Sequence, residues 1–209
     1  MIIYEALKKD FVQHVYHQRI DDLILEKMLE KTGHRASLSE IRSWSASLTF
    51  VNNVINTPDI PDDCGIAIEY KIPNTSKRVD LILSGYDDND KPRAVIIELK
   101  QWTEIEKVTG QDGIVRTFIG GAKVNTTHPS YQAWSYASLI KDYNDDVRKK
   151  NIDLFPCAFL HNYASKENDP LFDQGYEYYT NQAPVFIKGD NEKLRDFIKK
   201  YLKKGDDKN

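Results

Sequence analysis

Val79-Asp80-Leu81-Ile82-Leu83 and, one polar turn later, Val95-Ile96-Ile97-Glu98-Leu99-Lys100 set ionisable side chains inside otherwise aliphatic runs. Such runs read as β-strands, the second so continuously apolar that it belongs in the middle of a sheet. Side chains alternate faces along a strand, so Glu98 and Lys100 project side by side. The turn between the runs holds four Asp or Asn at positions 87–90 and joins the two strands tightly, so that Asp80 can lie next to Glu98. Two carboxylates at sheet depth repel one another and lose solvation, and they persist only where positive charge compensates. Lys100 supplies one such charge, and a divalent cation would supply the rest. Mg²⁺ takes oxygen ligands, commonly one or two carboxylates with carbonyls, waters and substrate phosphate, and the Leu99 carbonyl is placed to join Asp80 and Glu98. Phosphodiester hydrolysis fits this set, with Lys100 orienting or deprotonating the attacking water; a lysine held near a metal would have a depressed pKa.

Outward from this pair, strands are expected at 65–72, 78–84 and 93–101, forming a meander, with a turn at Pro73-Asn74-Thr75-Ser76. Upstream, residues 2–32 carry apolar side chains at threes and fours and read as helical, ending at Gly33. Ser37-Leu38-Ser39-Glu40 has the capping-box pattern and opens a second helix to about Asn56, stopped by Pro58 and Pro61. Downstream, residues 103–129 form an insertion in which 114–119 and Gly120-Gly121 suggest a hairpin. A helix over 130–148, a strand over 154–163, a short strand over 184–188 and an amphipathic helix over 192–203 follow. The expectation is an α/β sandwich around a mixed sheet, one domain over 1–203, with helices in 1–57, a catalytic core in 65–163 and a polar tail or linker at 204–209.

The chain of 209 residues is long enough for a sizeable core. Its net charge of −3 argues against a protein that coats nucleic acid non-specifically, though basic residues can still line one groove. Cys64 and Cys157 make neither a disulfide framework nor a zinc site and read as reduced thiols. The charged start is no signal peptide and no apolar run would span a membrane, so a soluble, cytoplasmic protein is expected.

Asp80 with Glu98-Leu99-Lys100 resembles the signature of the PD-(D/E)xK nuclease superfamily, and Gln132-Ala133-Trp134-Ser135-Tyr136 resembles the Q-x-x-x-Y motif of its RecB-like branch. Gln132 and Tyr136, four apart, share a helix face. The resemblance implies a restriction-endonuclease-like fold and a Mg²⁺- or Mn²⁺-dependent nuclease in which Gln132 and Tyr136 position substrate and cluster. It also implies an acidic residue on a helix before the sheet. Glu40 matches by position and type and is the expected further metal ligand, directly or through water, although the capping box also claims it; Glu69 competes from a strand. Ser39–Trp44, Ser76–Asp80, Glu98–Trp102 and His128–Tyr136 further resemble the N-terminal domain of DUF2075 proteins, which carry a Schlafen-like helicase behind a nuclease-like domain. No phosphate loop of the G-x-x-x-x-G-K-[S/T] type occurs here, so any helicase partner would be a separate, C-terminal domain. The alternative is a non-cleaving module that guides nucleic acid to such a helicase, or a protein-docking domain.

Weaker candidates lie in the insertion. Arg116, Lys123 and His128 could reach a nucleic-acid backbone, and Trp102 and Tyr131 could stack on bases or simply pack. Arg78 is either a screen for the carboxylates or an edge charge. His161 reads as structural, and Lys199-Lys200 as a solvated helix face.

Overall fold

The computed structural model describes residues 1–33 and 36–205, and of residues 38, 39 and 42 only the backbone. Its frame is a six-stranded mixed sheet built from β1 (Ile2–Leu7), β2 (Gly65–Lys71), β3 (Arg78–Tyr86), β4 (Pro92–Lys100), β8 (Asp153–Leu160) and β9 (Val185–Ile187), side by side in that order. β2, β3 and β4 form the expected antiparallel meander, while β8 joins β4 in parallel and β9 joins β8 in parallel. A parallel step needs a crossover, and α4 (Pro129–Tyr143) with α5 (Asp145–Lys149) supplies it.

Alternation along the strands feeds two cores. Ile66, Ile68, Leu81, Leu83, Val95, Ile97 and Phe159 point to the face covered by α1 (Lys8–Tyr16), α2 (Ile20–Thr32), α3 (Leu38–Ile55) and α7 (Asn191–Tyr201). Tyr70, Val79 and Ile96 meet Tyr136 and Ile140 of α4 on the other face. A third cluster of Trp102, Ile105, Val115, Leu160, Tyr163, Leu171 and Tyr176 anchors a small separate sheet of β5 (Glu106–Lys107), β6 (Ile114–Ile119) and β7 (Ala122–Thr127). Gly120 and Gly121, both at positive φ, turn the β6–β7 hairpin as expected.

Residues 2–32 are not helical throughout. Ile2–Leu7 is an edge strand that pairs antiparallel with β2, Tyr4 opposite Ile68. Ile2, Ile3 and Tyr4 prefer extended backbone, and their spacing continues the helical periodicity downstream by coincidence. The chain then breaks at Gln18, in left-handed backbone, before α2. The helix over 130–148 breaks too. Asn144 takes extended backbone, and its side chain accepts the N–H groups of Asp146 and Val147 to start α5. Between β8 and β9 lie two 3₁₀ turns and α6 (Glu177–Gln182). The tail is tied down at its start, where Lys204 bridges to Tyr86; its remainder, 206–209, lies outside the described residues. Among the described residues, no helix is long and apolar enough to cross a membrane. Both cysteines are free and buried.

Candidate active site

The β3–β4 ladder closes with Leu81 opposite Ile97. Just past that pair Asp80 substitutes its side chain for a backbone partner, its Oδ2 accepting the Leu99 N–H at 2.7 Å. Across β3, Glu69 of β2 sits at φ 55°, a conformation that residues with a Cβ seldom adopt. The kink has a consequence in packing. Ile68 belongs to the core under α3, whereas Tyr70, two residues on, belongs to the core under α4. At Glu69 and Asp80 the sheet's regular alternation gives way, while β4 keeps its alternation and its unbroken pairing with β8 through Glu98, so the Glu98 carboxylate lies beside that irregularity.

Glu98 is 2% exposed. Its Oε1 accepts from Lys100 Nζ at 2.7 Å and from Gln132 Nε2 at 2.7 Å. Its Oε2 is buried with no hydrogen-bond partner among the described residues. Burial first, and then the Asp80 charge, holds the Glu98 carboxyl well above the ordinary carboxylate range, although Lys100 pulls it down. Asp80 is raised as well, by burial; the Lys100 charge, the Leu99 N–H and a hydrogen bond with Glu98 act against that. Burial and mutual repulsion therefore disfavour both carboxyls being ionised together. Lys100 departs from expectation. Burial alone would lower its pKa, but the Glu98 and Asp80 charges outweigh burial and raise it, so the chain's own groups keep it charged. Its ammonium also lies 5.3 Å from the centre of the Trp102 ring, which is buried in the third core cluster rather than offered for stacking.

Gln132 and Tyr136 meet the site as the shared helix face implied. Gln132 Nε2 reaches both Glu98 and, at 3.1 Å, the Tyr136 hydroxyl, so the helix grips Glu98 through one amide. Burial and the Glu98 charge raise the Tyr136 hydroxyl's pKa, so it stays protonated.

On the other side of the strands a cavity of about 180 Å³ is bounded by Glu40, Ser43, Trp44, Glu69, Asp80 and Leu99, among others. Both candidates for the additional acidic residue thus border one space with Asp80. They differ in what they are doing. The exposed Glu40 closes the capping box: its Oε2 accepts the Ser37 N–H and hydroxyl, each at 2.7 Å, and these bonds lower its pKa. Glu69 has a side chain 12% exposed, receives the Trp44 indole N–H at 3.0 Å and pairs with Arg78 at 3.5 Å. Its pKa is raised, by burial and then by the Asp80 charge. Glu69 is therefore electrostatically part of the Asp80 cluster, and Arg78 screens that cluster rather than standing as a lone edge charge.

The insertion residues fare unequally. Arg116 and Lys123 are exposed on the hairpin, Arg116 bonded to Asn125 and Lys123 paired with Glu106. His128 is corrected as a backbone contact: it is fully buried and caps α4, Nδ1 accepting the Ser130 N–H, with Nε2 3.0 Å from the Leu171 carbonyl oxygen. Burial pushes its pKa down to about 4, so it is neutral and out of reach of a phosphate. Tyr131 is partly exposed, tilted against Trp134 and edge-on to Tyr179.

One feature of the site's frame was not anticipated from sequence. Gln101 Nε2 reaches the Ser43 carbonyl at 2.7 Å and the Ser47 hydroxyl at 3.1 Å, Ser47 meets His161 Nε2 at 3.1 Å, and Asn162 returns to the Gln101 carbonyl at 3.4 Å. This circuit ties α3 to the ends of β4 and β8. Ser43 and Ser47, four apart on one helix face, were its only sequence signal. His161 is buried, stacked on Phe50 and structural, as expected.

Among the described residues, no three His, Cys, Asp or Glu side chains converge as a ready-made metal cage. The donors present nonetheless fit a hard cation. Mg²⁺ commonly binds through one or two carboxylates and keeps its waters. Glu98 Oε2 is a buried carboxyl oxygen with no hydrogen-bond partner among the described residues, next to a second carboxylate, and a cation would satisfy it. Comparisons with protein-family models, with curated proteins and with solved structures gave no match to this chain.

Proposed function

We propose that this chain is a nuclease of restriction-endonuclease-like fold that hydrolyses DNA or RNA phosphodiester bonds with Mg²⁺ or Mn²⁺. The observation that carries the reading is Glu98: a carboxylate 2% exposed, facing Asp80, with one oxygen held by Lys100 and Gln132 and the other unpartnered. A protein gains nothing in stability from two repelling buried carboxylates, whereas a phosphate-handling site uses them.

Asp80 and Glu98 would hold the cation, with the Leu99 carbonyl beside them. Glu69 is the better-placed further carboxylate than Glu40, because it already feels the Asp80 charge and is not used in capping. The bound ion would polarise the phosphate and acidify a coordinated water. Lys100, charged in its pair with Glu98, stabilises the charge that develops on the phosphate oxygens, orients the water and can donate a proton to the leaving oxygen. Gln132 fixes the Glu98 oxygen that Lys100 also holds, and Tyr136 fixes Gln132.

The test is incubation of labelled single- and double-stranded DNA and RNA with the protein in Mg²⁺, Mn²⁺ or EDTA, beside Asp80→Ala and Lys100→Ala. Metal-dependent cutting that both substitutions abolish supports the nuclease and names its substrate. Intact binding with no cutting in any lane favours a module that guides nucleic acid to a helicase.

A further inference from the structure

α4 has two working faces. Tyr136 and Ile140 pack on the sheet and Gln132 reaches Glu98, while Trp134, Ser138 and Lys141 line an open groove of about 950 Å³ on the helix's other side. The groove's remaining walls come from Arg93 near the start of β4, from α5 and the start of β8, from the end of α6 and from the last turns of α7. Its charge is one-sided. Arg93, Lys141, Arg148 and Lys200 line it against the single carboxylate of Asp153, in a chain whose net charge is −3. Arg93 and Arg148 already have carboxylate partners, but among the described residues Lys141 and Lys200 have no ion pair. Two exposed ammonium groups lining one groove thus have no ion-pair partner among the described residues.

Trp134, Phe155 and Tyr201 line the same groove, and Tyr178 adjoins it through Trp134. Trp134 packs edge-on to Tyr178, centroids 5.8 Å apart, and Tyr178 is 60% exposed. Phe155 and Tyr201 stack at 3.6 Å between the Arg93 and Lys200 side chains, each of which lies over one of these rings. The exposed Tyr178 ring beside Trp134, together with the two unpaired lysines, suits a strand whose phosphates meet lysines and whose bases stack, and a duplex hides its base faces. Position fits too. Trp134 is two residues beyond Gln132 on the same helix, and the helical rise sets Lys141 about 14 Å along the axis from Gln132.

We propose that this groove binds single-stranded nucleic acid, with phosphates on Lys141 and Lys200 and a base against Tyr178 and Trp134, and so selects single strands for the carboxylate site. The proposal rests on the nuclease reading for its purpose but not for its binding chemistry. It is tested with fluorescently labelled oligothymidine, oligouridine and a duplex, by anisotropy in EDTA over a salt series, using the full chain. The variants are Lys141→Ala/Lys200→Ala and Tyr178→Ala, all at exposed positions, with Asp80→Ala as the catalytic control.

Single strands should bind more tightly than duplex. The double lysine variant should flatten the plot of log affinity against log salt by about 0.7 for each lysine. Tyr178→Ala should weaken binding roughly five- to hundredfold without changing that slope. Single-strand affinity and salt slope unchanged in these variants, or equal losses on duplex, would overturn the groove. Groove-dependent binding with no cutting by the wild type in any metal would sink the nuclease reading and leave the groove standing. Cutting that Asp80→Ala abolishes, with groove variants binding as wild type, would do the reverse.

Discussion

Replacing Glu98 by Gln should stabilise the metal-free protein at alkaline pH and remove most of its pH dependence. Burial and the Asp80 charge push the Glu98 pKa from the usual 4.5 up to about 8. A carboxyl whose folded pKa is raised binds its proton more tightly when folded. Its stabilisation is complete below the unfolded pKa and drains away as pH rises through the folded one, here between about 4.5 and 8. A tenfold difference in proton affinity between the folded and unfolded states corresponds to about 1.4 kcal/mol. Because the Asp80 and Glu98 carboxyls shift one another, the loss divides over the pair, and we expect about 2–4 kcal/mol across the window. For a chain of this size that is roughly 4–16 °C in Tm. The glutamine can still accept from Lys100 and Gln132, and its amide can donate to Asp80, so the packing survives. The assay is thermal melting in EDTA from pH 5 to 8, wild type against Glu98→Gln, repeated with Mn²⁺. His128 and His161, buried and neutral, impose an opposite slope below about pH 6.5, and the difference between the two proteins cancels it. Mn²⁺ should lift the wild type most at high pH and the variant little. Parallel curves for the two proteins in EDTA would refute the reasoning, because the repelling pair would then carry no penalty.

Other outcomes follow from the same geometry. Lys100→Met should lower cleavage by about 10²–10⁴-fold, read from single-turnover rates, if the ammonium stabilises the phosphate. Glu69→Gln should weaken Mn²⁺ binding, measured by calorimetry, more than Glu40→Gln does; an equal or reversed order would return the ligand role to Glu40. His128→Ala should cost about 1–3 kcal/mol in urea denaturation by removing the α4 cap, while leaving nucleic-acid affinity unchanged at constant fold.

Much of the fold could be read because the central strands are unambiguous. Val79–Leu83 and Val95–Leu99 are too apolar and β-branched for anything but buried strands, and the Asp-rich turn between them allows only an antiparallel pair. Ile2–Leu7 escaped because a short edge strand followed directly by an amphipathic helix presents one unbroken periodicity. What decides it is the partner, β2, whose paired residues lie 58 to 68 positions away, which no local window contains. Asn144 and α6 escaped for a related reason. A cap that splits a helix is a choice between two local bonding patterns, settled here by Asn144 donating its amide to the Tyr70 hydroxyl at 2.8 Å.

The candidate site divides along the same line. Asp80, Glu98 and Lys100 were legible because charge inside an apolar strand is costly enough to demand a reason, and Gln132 with Tyr136 because four-residue spacing fixes a helix face. His128 misled because a histidine before Pro129 looks like a loop residue, whereas its ring is consumed by the helix it caps. Pattern favours Glu40 over Glu69, because Glu40 lies on a helix before the sheet. Glu69 acquires its place through a left-handed backbone at one β-residue, and residue type does not announce such a kink. The same kink sends Ile68 and Tyr70 into separate cores while Glu69 enters the space beside Asp80. Strain of this kind costs about 1–3 kcal/mol and persists only where the surroundings enforce it. Here β2 is held on both sides of the kink, by Ile68 with Leu81 and Tyr70 with Val79. Relaxing the kink would carry Glu69 away from Trp44 and Asp80, so the sheet itself is what holds the third carboxylate at the site.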